Sequence, residues 1–165
     1  MQQNSTSLNI LVVCTGNICR SPMAEGLLRQ NLPARLKSRV QIASAGTRAQ
    51  EDLPAEPHAR TVMAEWGLDI SGHRAQQCSP KLIRQAHLVL AMEREHQRFI
   101  RGNAPASGPK LRLLGEYGAD SAQPEIPDPY GQGLFVYRAC ARLIRNCLPD
   151  VITEITRLAG GDTSS

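Results

Sequence analysis

Leu8-Asn9-Ile10-Leu11-Val12-Val13 runs directly into Cys14-Thr15-Gly16-Asn17-Ile18-Cys19-Arg20-Ser21-Pro22, and the junction of these two stretches decides the fold. The first is a short, almost continuous aliphatic run, the pattern of a strand buried on both faces. Ser21-Pro22 reads as a helix start, with a serine cap and proline at the first helical position. Ala24, Leu27 and Leu28 come next at helical spacing, with Asn31 and Leu32 near the end.

The same alternation continues outward along the chain. Val40–Ala45 is a second strand candidate, closed by Gly46. From Pro57 to Trp66 one helical face carries Ala59, Val62, Met63 and Trp66, and Gly67 stops it. Ser79-Pro80 repeats the cap-and-proline start before a short helix. His87–Met92 reads as a third strand, Glu93–Arg101 as a helix and Lys110–Leu114 as a fourth strand. Proline and glycine make a loop of 119–133. Leu134–Leu148 is amphipathic, and Pro149 is expected to kink it or to start a new helix to about Leu158. Strands alternating with helices imply an α/β fold: a parallel sheet covered on both faces by helices. Ligands of such sheets bind beyond the carboxyl ends of the strands, where strand order reverses. There are no repeats, linkers or composition breaks, so one domain spans 1–165 with an ordered core of about 8–159.

The residues just after the first strand therefore carry the chemistry. A short loop entering a helix turns backbone N–H groups and the positive end of the dipole toward one point. Gly16 and Asn17 tolerate the left-handed backbone that such a curled loop needs. Arg20 offers a planar fork for two phosphate oxygens. Cys14 sits where the same amides and guanidinium favour a thiolate, poised to attack a bound phosphate. The hydroxyl of Ser21 is placed to hydrogen-bond that sulfur. No GKS or GKT comes after the loop, which argues against a nucleotide-binding Walker loop.

Composition narrows the remaining classes. The 165 residues carry 19 Lys and Arg against 15 Asp and Glu, a net charge of +4. The basic residues are scattered and aromatics are only 4%, so no nucleic-acid surface is expected. No apolar run is long enough to span a bilayer, and the polar start lacks a signal-peptide core. A cytoplasmic protein with no membrane insertion is expected. Its five cysteines, Cys14, Cys19, Cys78, Cys140 and Cys147, are then read as reduced thiols. None has zinc-site spacing.

Val13-Cys14-Thr15-Gly16-Asn17-Ile18-Cys19-Arg20-Ser21-Pro22 resembles, without a gap, the signature of the low-molecular-weight protein tyrosine phosphatases. The resemblance extends from Asn9 to about Ile155 and includes Ser44-Ala45-Gly46, Ser71-Gly72-His73-Arg74-Ala75 and Asp128-Pro129-Tyr130. It implies a four-stranded parallel sheet in flavodoxin-like order 2-1-3-4. It also implies hydrolysis of phosphotyrosine through a phosphocysteine intermediate, with no metal or other cofactor. Cys14 would be the nucleophile, residues 15–21 the phosphate loop, and Asp128 the general acid and later base. Tyr130 would flank the substrate ring. Eukaryotic members often have a second tyrosine beside it; here Gly131 stands in that place, and one aromatic wall is missing. Asn17, Ser44 and His73 match residues that support the loop.

Some alternatives stay open. Cys19 reads equally as a packed small residue and as a thiol that traps an oxidised Cys14. Arsenate reductases share the fold and loop but need relay cysteines, for which Cys78 is a single candidate. An arginine phosphatase is the other relative, yet apolar Ile18 on the loop edge suits an aromatic ring better than a guanidinium. The 125–130 stretch looks most like bacterial members, which implies a phosphotyrosine protein as partner, such as an autophosphorylating tyrosine kinase of exopolysaccharide production. Monomer and weak dimer are both open.

Overall fold

The computed structural model describes residues 7–119 and 122–160. Its sheet holds four parallel strands: β1 (Leu8–Cys14), β2 (Val40–Gly46), β3 (Leu88–Ala91) and β4 (Leu111–Leu113), in the order β2-β1-β3-β4. The expected architecture and strand order are both present. Register runs Leu8 beside Val40 to Cys14 beside Gly46 on one side, and Ile10 beside Leu88 to Val13 beside Ala91 on the other. β1 is thus central, and the chain leaves it first to one side and then to the other. The reversal places a crevice beyond its carboxyl end. β3 and β4 are shorter than their apolar runs: His87 and Met92 each donate a backbone N–H to β1 from just outside the paired register, and Lys110 and Leu114 lie beyond that of β4.

The continuous aliphatic pattern of β1 has its explanation in two cores. Ile10, Val12 and Cys14 face one cluster together with Met23, Leu27, Leu28, Tyr137 and Ile144. Leu11 and Val13 face the other, with Ile83, Val89, Ile100 and Leu113. The first cluster packs α1 (Arg20–Asn31), α2 (Pro57–Glu65) and the long C-terminal helix against the sheet. The second packs α3 (Pro80–Gln85) and α4 (Arg94–Asn103). Ser79 caps α3 as expected, accepting from the Leu82 amide at 3.2 Å. Gly67, at φ 74, closes α2.

Two helices differ from expectation. α1 begins at Arg20, so Cys19 rather than Ser21 occupies the cap position, and no side chain caps its first turn. Ser21 is committed elsewhere, and Pro22 lies in the first turn, where a missing N–H costs no helical bond. The C-terminal helix, α5, runs unbroken from Leu134 to Leu158 through Pro149. Proline there removes a donor to the carbonyl of Arg145. Both residues are on the exposed side, so water can take that carbonyl, while buried Val151 and Ile155 hold the following turns in place. Residues 1–6 and 161–165, which the sequence leaves without pattern, lie outside the described residues. So do 120 and 121 of the 119–133 loop.

Candidate active site

The polypeptide leaves β1 at Cys14 and re-enters regular structure at Arg20, so the chain must turn sharply between them. Asn17 supplies the left-handed step at φ 57; Gly16 does not take it. An asparagine in that conformation needs support, and both polar atoms of its side chain have partners. Its Nδ2 donates to Ser21 Oγ at 2.8 Å and to Ser44 Oγ at 2.9 Å, while Oδ1 accepts from the Gln76 amide at 2.9 Å. His73 Nε2 donates to the Asn17 carbonyl at 2.6 Å. Asn17, Ser44 and His73 therefore meet as the sequence suggests, and Gln76 joins them.

Gly46 is a further requirement. A Cβ there would lie 2.5 Å from the Thr15 carbonyl and 2.9 Å from the Asn17 nitrogen. Next to it, the amides of Thr47 and Arg48 donate to the carbonyls of Cys14 and Thr15 at 2.9 and 2.8 Å. Only glycine lets β2 come this close to the loop.

Bond directions around the sulfur follow from donors and acceptors. Ser21 Oγ accepts from Asn17, which leaves its own hydrogen for Cys14 Sγ, 2.9 Å away. The uncapped first turn of α1 leaves amide hydrogens without helical partners at the same place.

Arg20 lies beneath this loop, 1% exposed. Its Nη1 donates to Glu93 Oε2 at 2.9 Å and to the Ile126 carbonyl at 2.7 Å. Nη2 has only longer contacts, 3.4 Å to Thr15 Oγ1 and 3.5 Å to Asp128 Oδ2. Nε is buried and has no partner among the described residues. One side of the fork is thus anchored in protein, and the other, with Nε unpartnered and Nη2 in long contacts only, is the side that can take two oxygens of an anion. Burial opposes its charge, but Cys14, Glu93 and Asp128 outweigh that and push the guanidinium above its usual value.

His96 completes the support. Its Nδ1 accepts the Glu93 amide at 3.1 Å, so the proton belongs on Nε2, which donates to Thr15 Oγ1 at 2.8 Å. Burial first, then the charge of Arg20, lower its pKa below 6.5 and keep it neutral.

A cleft of about 180 Å³ opens above, lined by Cys14, Thr15, Gly16, Ile18, Cys19, Arg20, Asp128 and Tyr130. Larger hollows along the edge of β2 and beside α1 hold no cysteine. Asp128 Oδ1 accepts the Tyr130 amide at 3.1 Å, which leaves Oδ2 on the side facing Arg20. Gly131 takes φ 77, a conformation a tyrosine would adopt only under strain.

Of the other cysteines, Cys19 lies 3.3 Å from Tyr137 Oη, and burial pushes its thiol up to about 12. Cys78 is buried in the core on the opposite side of the sheet, at about 11 for the same reason. It does not reach the cleft. Among the described residues no His, Cys, Asp or Glu side chains gather in threes as a metal site would need.

Residues 9–159 match the family described as low molecular weight phosphotyrosine protein phosphatase. The chain belongs to that family. It is a phosphatase of the protein-tyrosine class by that membership. A probable low molecular weight protein-tyrosine-phosphatase, EpsP of Ralstonia nicotianae, is 43% identical over 149 residues, 90% of this chain and 97% of that one. The Escherichia coli K12 phosphatase Wzb is 40% identical over 136 residues, covering 82% and 87%. Among solved structures, Wzb of Escherichia coli K30 in complex with sulphate aligns at TM-score 0.79 and 37% identity, covering 89% of this chain and 97% of its own. The YwlE arginine phosphatase of Geobacillus stearothermophilus aligns at 0.81 and 32%, covering 96% and 99%. No described helix is long and apolar enough to cross a membrane.

Sequence alone does not single out Glu93, His96, Gln76 or the Ile126 carbonyl as parts of the site. Glu93 had a signal: it lies just past the apolar run of β3, whose carboxyl end borders the same crevice.

Proposed function

We propose that Cys14 attacks the phosphorus of a protein phosphotyrosine and that Asp128 transfers the protons. The unpartnered, buried Nε of Arg20, in the residue that lines the same cleft as the Cys14 sulfur, is the observation that carries this reading. In the first step the S–P bond forms and the P–O bond to the tyrosine breaks, with Asp128 Oδ2 giving its proton to the departing phenoxide. In the second, Asp128 takes a proton from water, the water oxygen bonds phosphorus, and the S–P bond breaks. The Ser21 hydroxyl stabilises the thiolate as it leaves. Arg20 and the loop amides hold the transferring phosphoryl oxygens throughout. Ile18 and Tyr130 form apolar walls for the ring, which favours phosphotyrosine over the arginine phosphate of the YwlE relatives. The burial of Cys78 away from the cleft argues against arsenate reduction.

The test is hydrolysis of p-nitrophenyl phosphate and a phosphotyrosine peptide with EDTA present, beside Cys14→Ser. Metal-independent turnover that vanishes in the variant is expected. Turnover of a phosphoarginine peptide alone would move the chain to the other branch. The protein target we propose is an autophosphorylated tyrosine kinase of exopolysaccharide production, by likeness to the bacterial relatives EpsP and Wzb. Loss of phosphotyrosine from such a kinase on incubation checks it.

A further inference from the structure

Every large apolar side chain that stands exposed among the described residues falls in one segment: Tyr130, Phe135, Val136 and Leu143. Single exposed apolar residues are ordinary, but their concentration in one strip is not. Phe135 is 74% exposed, and nothing in the fold requires it. α5 packs through other positions. Tyr137 turns inward to Cys19, and Cys140 Sγ faces the Pro127 carbonyl at 3.9 Å. Phe135 and Leu143 lie about two turns apart on the outward side, with Val136 beside them.

This strip continues the cleft. Tyr130 is part of its wall. A tight turn, closed by the Gln132 amide on the Pro129 carbonyl at 2.9 Å, leads directly into the first turn of α5. From Phe135 to Leu143 the helix then rises about 12 Å, the span of roughly four extended residues. Its flank is basic. Arg142 is exposed beside Leu143, Arg138 pairs with Glu65 at 2.7 Å, and Arg145 lies over the Trp66 ring at 4.3 Å.

We propose that this strip docks the polypeptide flanking the phosphotyrosine of a protein substrate, apolar side chains on Phe135, Val136 and Leu143 and acidic ones on Arg142. The inference rests on the phosphotyrosine reading above and adds a sequence preference to it. Continuity with the cleft wall and a cationic flank facing an anionic phosphoprotein favour this occupant over a second copy of the chain.

The test is kcat/KM on three substrates: p-nitrophenyl phosphate, a phosphotyrosine peptide flanked by Leu, Ile, Asp and Glu, and one flanked by Gly, Ser and Lys. The wild-type protein is expected to favour the first peptide about tenfold, the effect of burying about two methylenes. In the double variant Phe135→Ser, Leu143→Ser that preference falls to within about twofold, while p-nitrophenyl phosphate hydrolysis keeps its rate. Arg142→Glu reduces the preference through the acidic residues alone. Equal kcat/KM on the two peptides, or a preference that survives the double variant, overturns the docking and leaves the phosphatase reading standing. A wild-type dimer that becomes monomeric in the double variant, with peptide preference unchanged, assigns the strip to self-association and overturns it too. Hydrolysis of p-nitrophenyl phosphate with neither peptide turned over sinks the phosphotyrosine reading, and this inference with it.

Discussion

Residues 14–21 and residues 127–131 face each other across one cleft and are held by different means. The first loop is fixed from all sides: Asn17 reaches Ser21, Ser44, His73 and Gln76, and Arg20 reaches Glu93 and Ile126. The second is largely exposed, with Asp128 held by the amide of Tyr130 and a 3.5 Å contact to Arg20. A group that must match the shape of a transferring phosphoryl gains from rigidity before substrate arrives. Under the proposed mechanism Asp128 reaches a leaving oxygen, then a water, and needs access instead. One cleft combines a preorganised floor with an open wall.

That contrast can be broken from either side. The largest effect belongs to the floor: Cys14→Ser lowers turnover on the order of 10⁵-fold or more, while isothermal titration with a phosphotyrosine peptide still shows binding. Appreciable residual turnover would end the covalent mechanism. On the wall, Asp128→Ala lowers kcat by roughly 10²–10⁴ for poor leaving groups and much less for p-nitrophenyl phosphate. An equal loss on both substrates would mean that Asp128 does not supply the proton. Gly46→Ala tests the floor from below. Its Cβ meets backbone that cannot retreat, and thermal unfolding should show a loss of about 1–3 kcal/mol, with activity falling as well. A variant as stable as wild type would show that β2 can shift from the loop.

The smallest effect concerns His96. Its folded pKa lies below 6.5, so the unfolded chain takes up a proton that the folded chain refuses. The stability it contributes is complete above that value and declines as pH falls below about 6.5. In His96→Asn, melting temperatures between about pH 7.5 and 5 should decline less steeply than in wild type. Parallel curves would place the acid sensitivity elsewhere.

The fold was legible because its signals are local. Leu8–Val13 carries its burial in its own composition, and Ser79-Pro80 caps α3 as written. Ser21-Pro22 looks the same and behaves differently, since the hydroxyl of Ser21 is drawn to Cys14 and Asn17 and cannot also cap the helix. Pro149 likewise misleads, because its cost depends on whether the freed carbonyl meets water. Within the site, Cys14 to Ser21 is contiguous and announces itself. Glu93 and His96 stand 73 and 81 residues from the groups they hold, and only the pairing of β1 with β3 brings them there. Gly46 could be read as a strand end but not as a close approach, which appears only when β1 and β2 lie in register.

Asn17 ties the loop to β2 and to the segment around residues 73–76, so the loop has no shape of its own to fall back on. Its geometry exists only when β1 and β2 are paired, and it should open only when they separate. The amide hydrogens of Thr47 and Arg48, which donate to the loop carbonyls of Cys14 and Thr15, should therefore exchange with solvent at the rate of global unfolding, whereas those of 130–133 exchange through local fluctuation. Catalysis then becomes a reporter of folding itself: during refolding, activity should return with the last sheet contacts and not before.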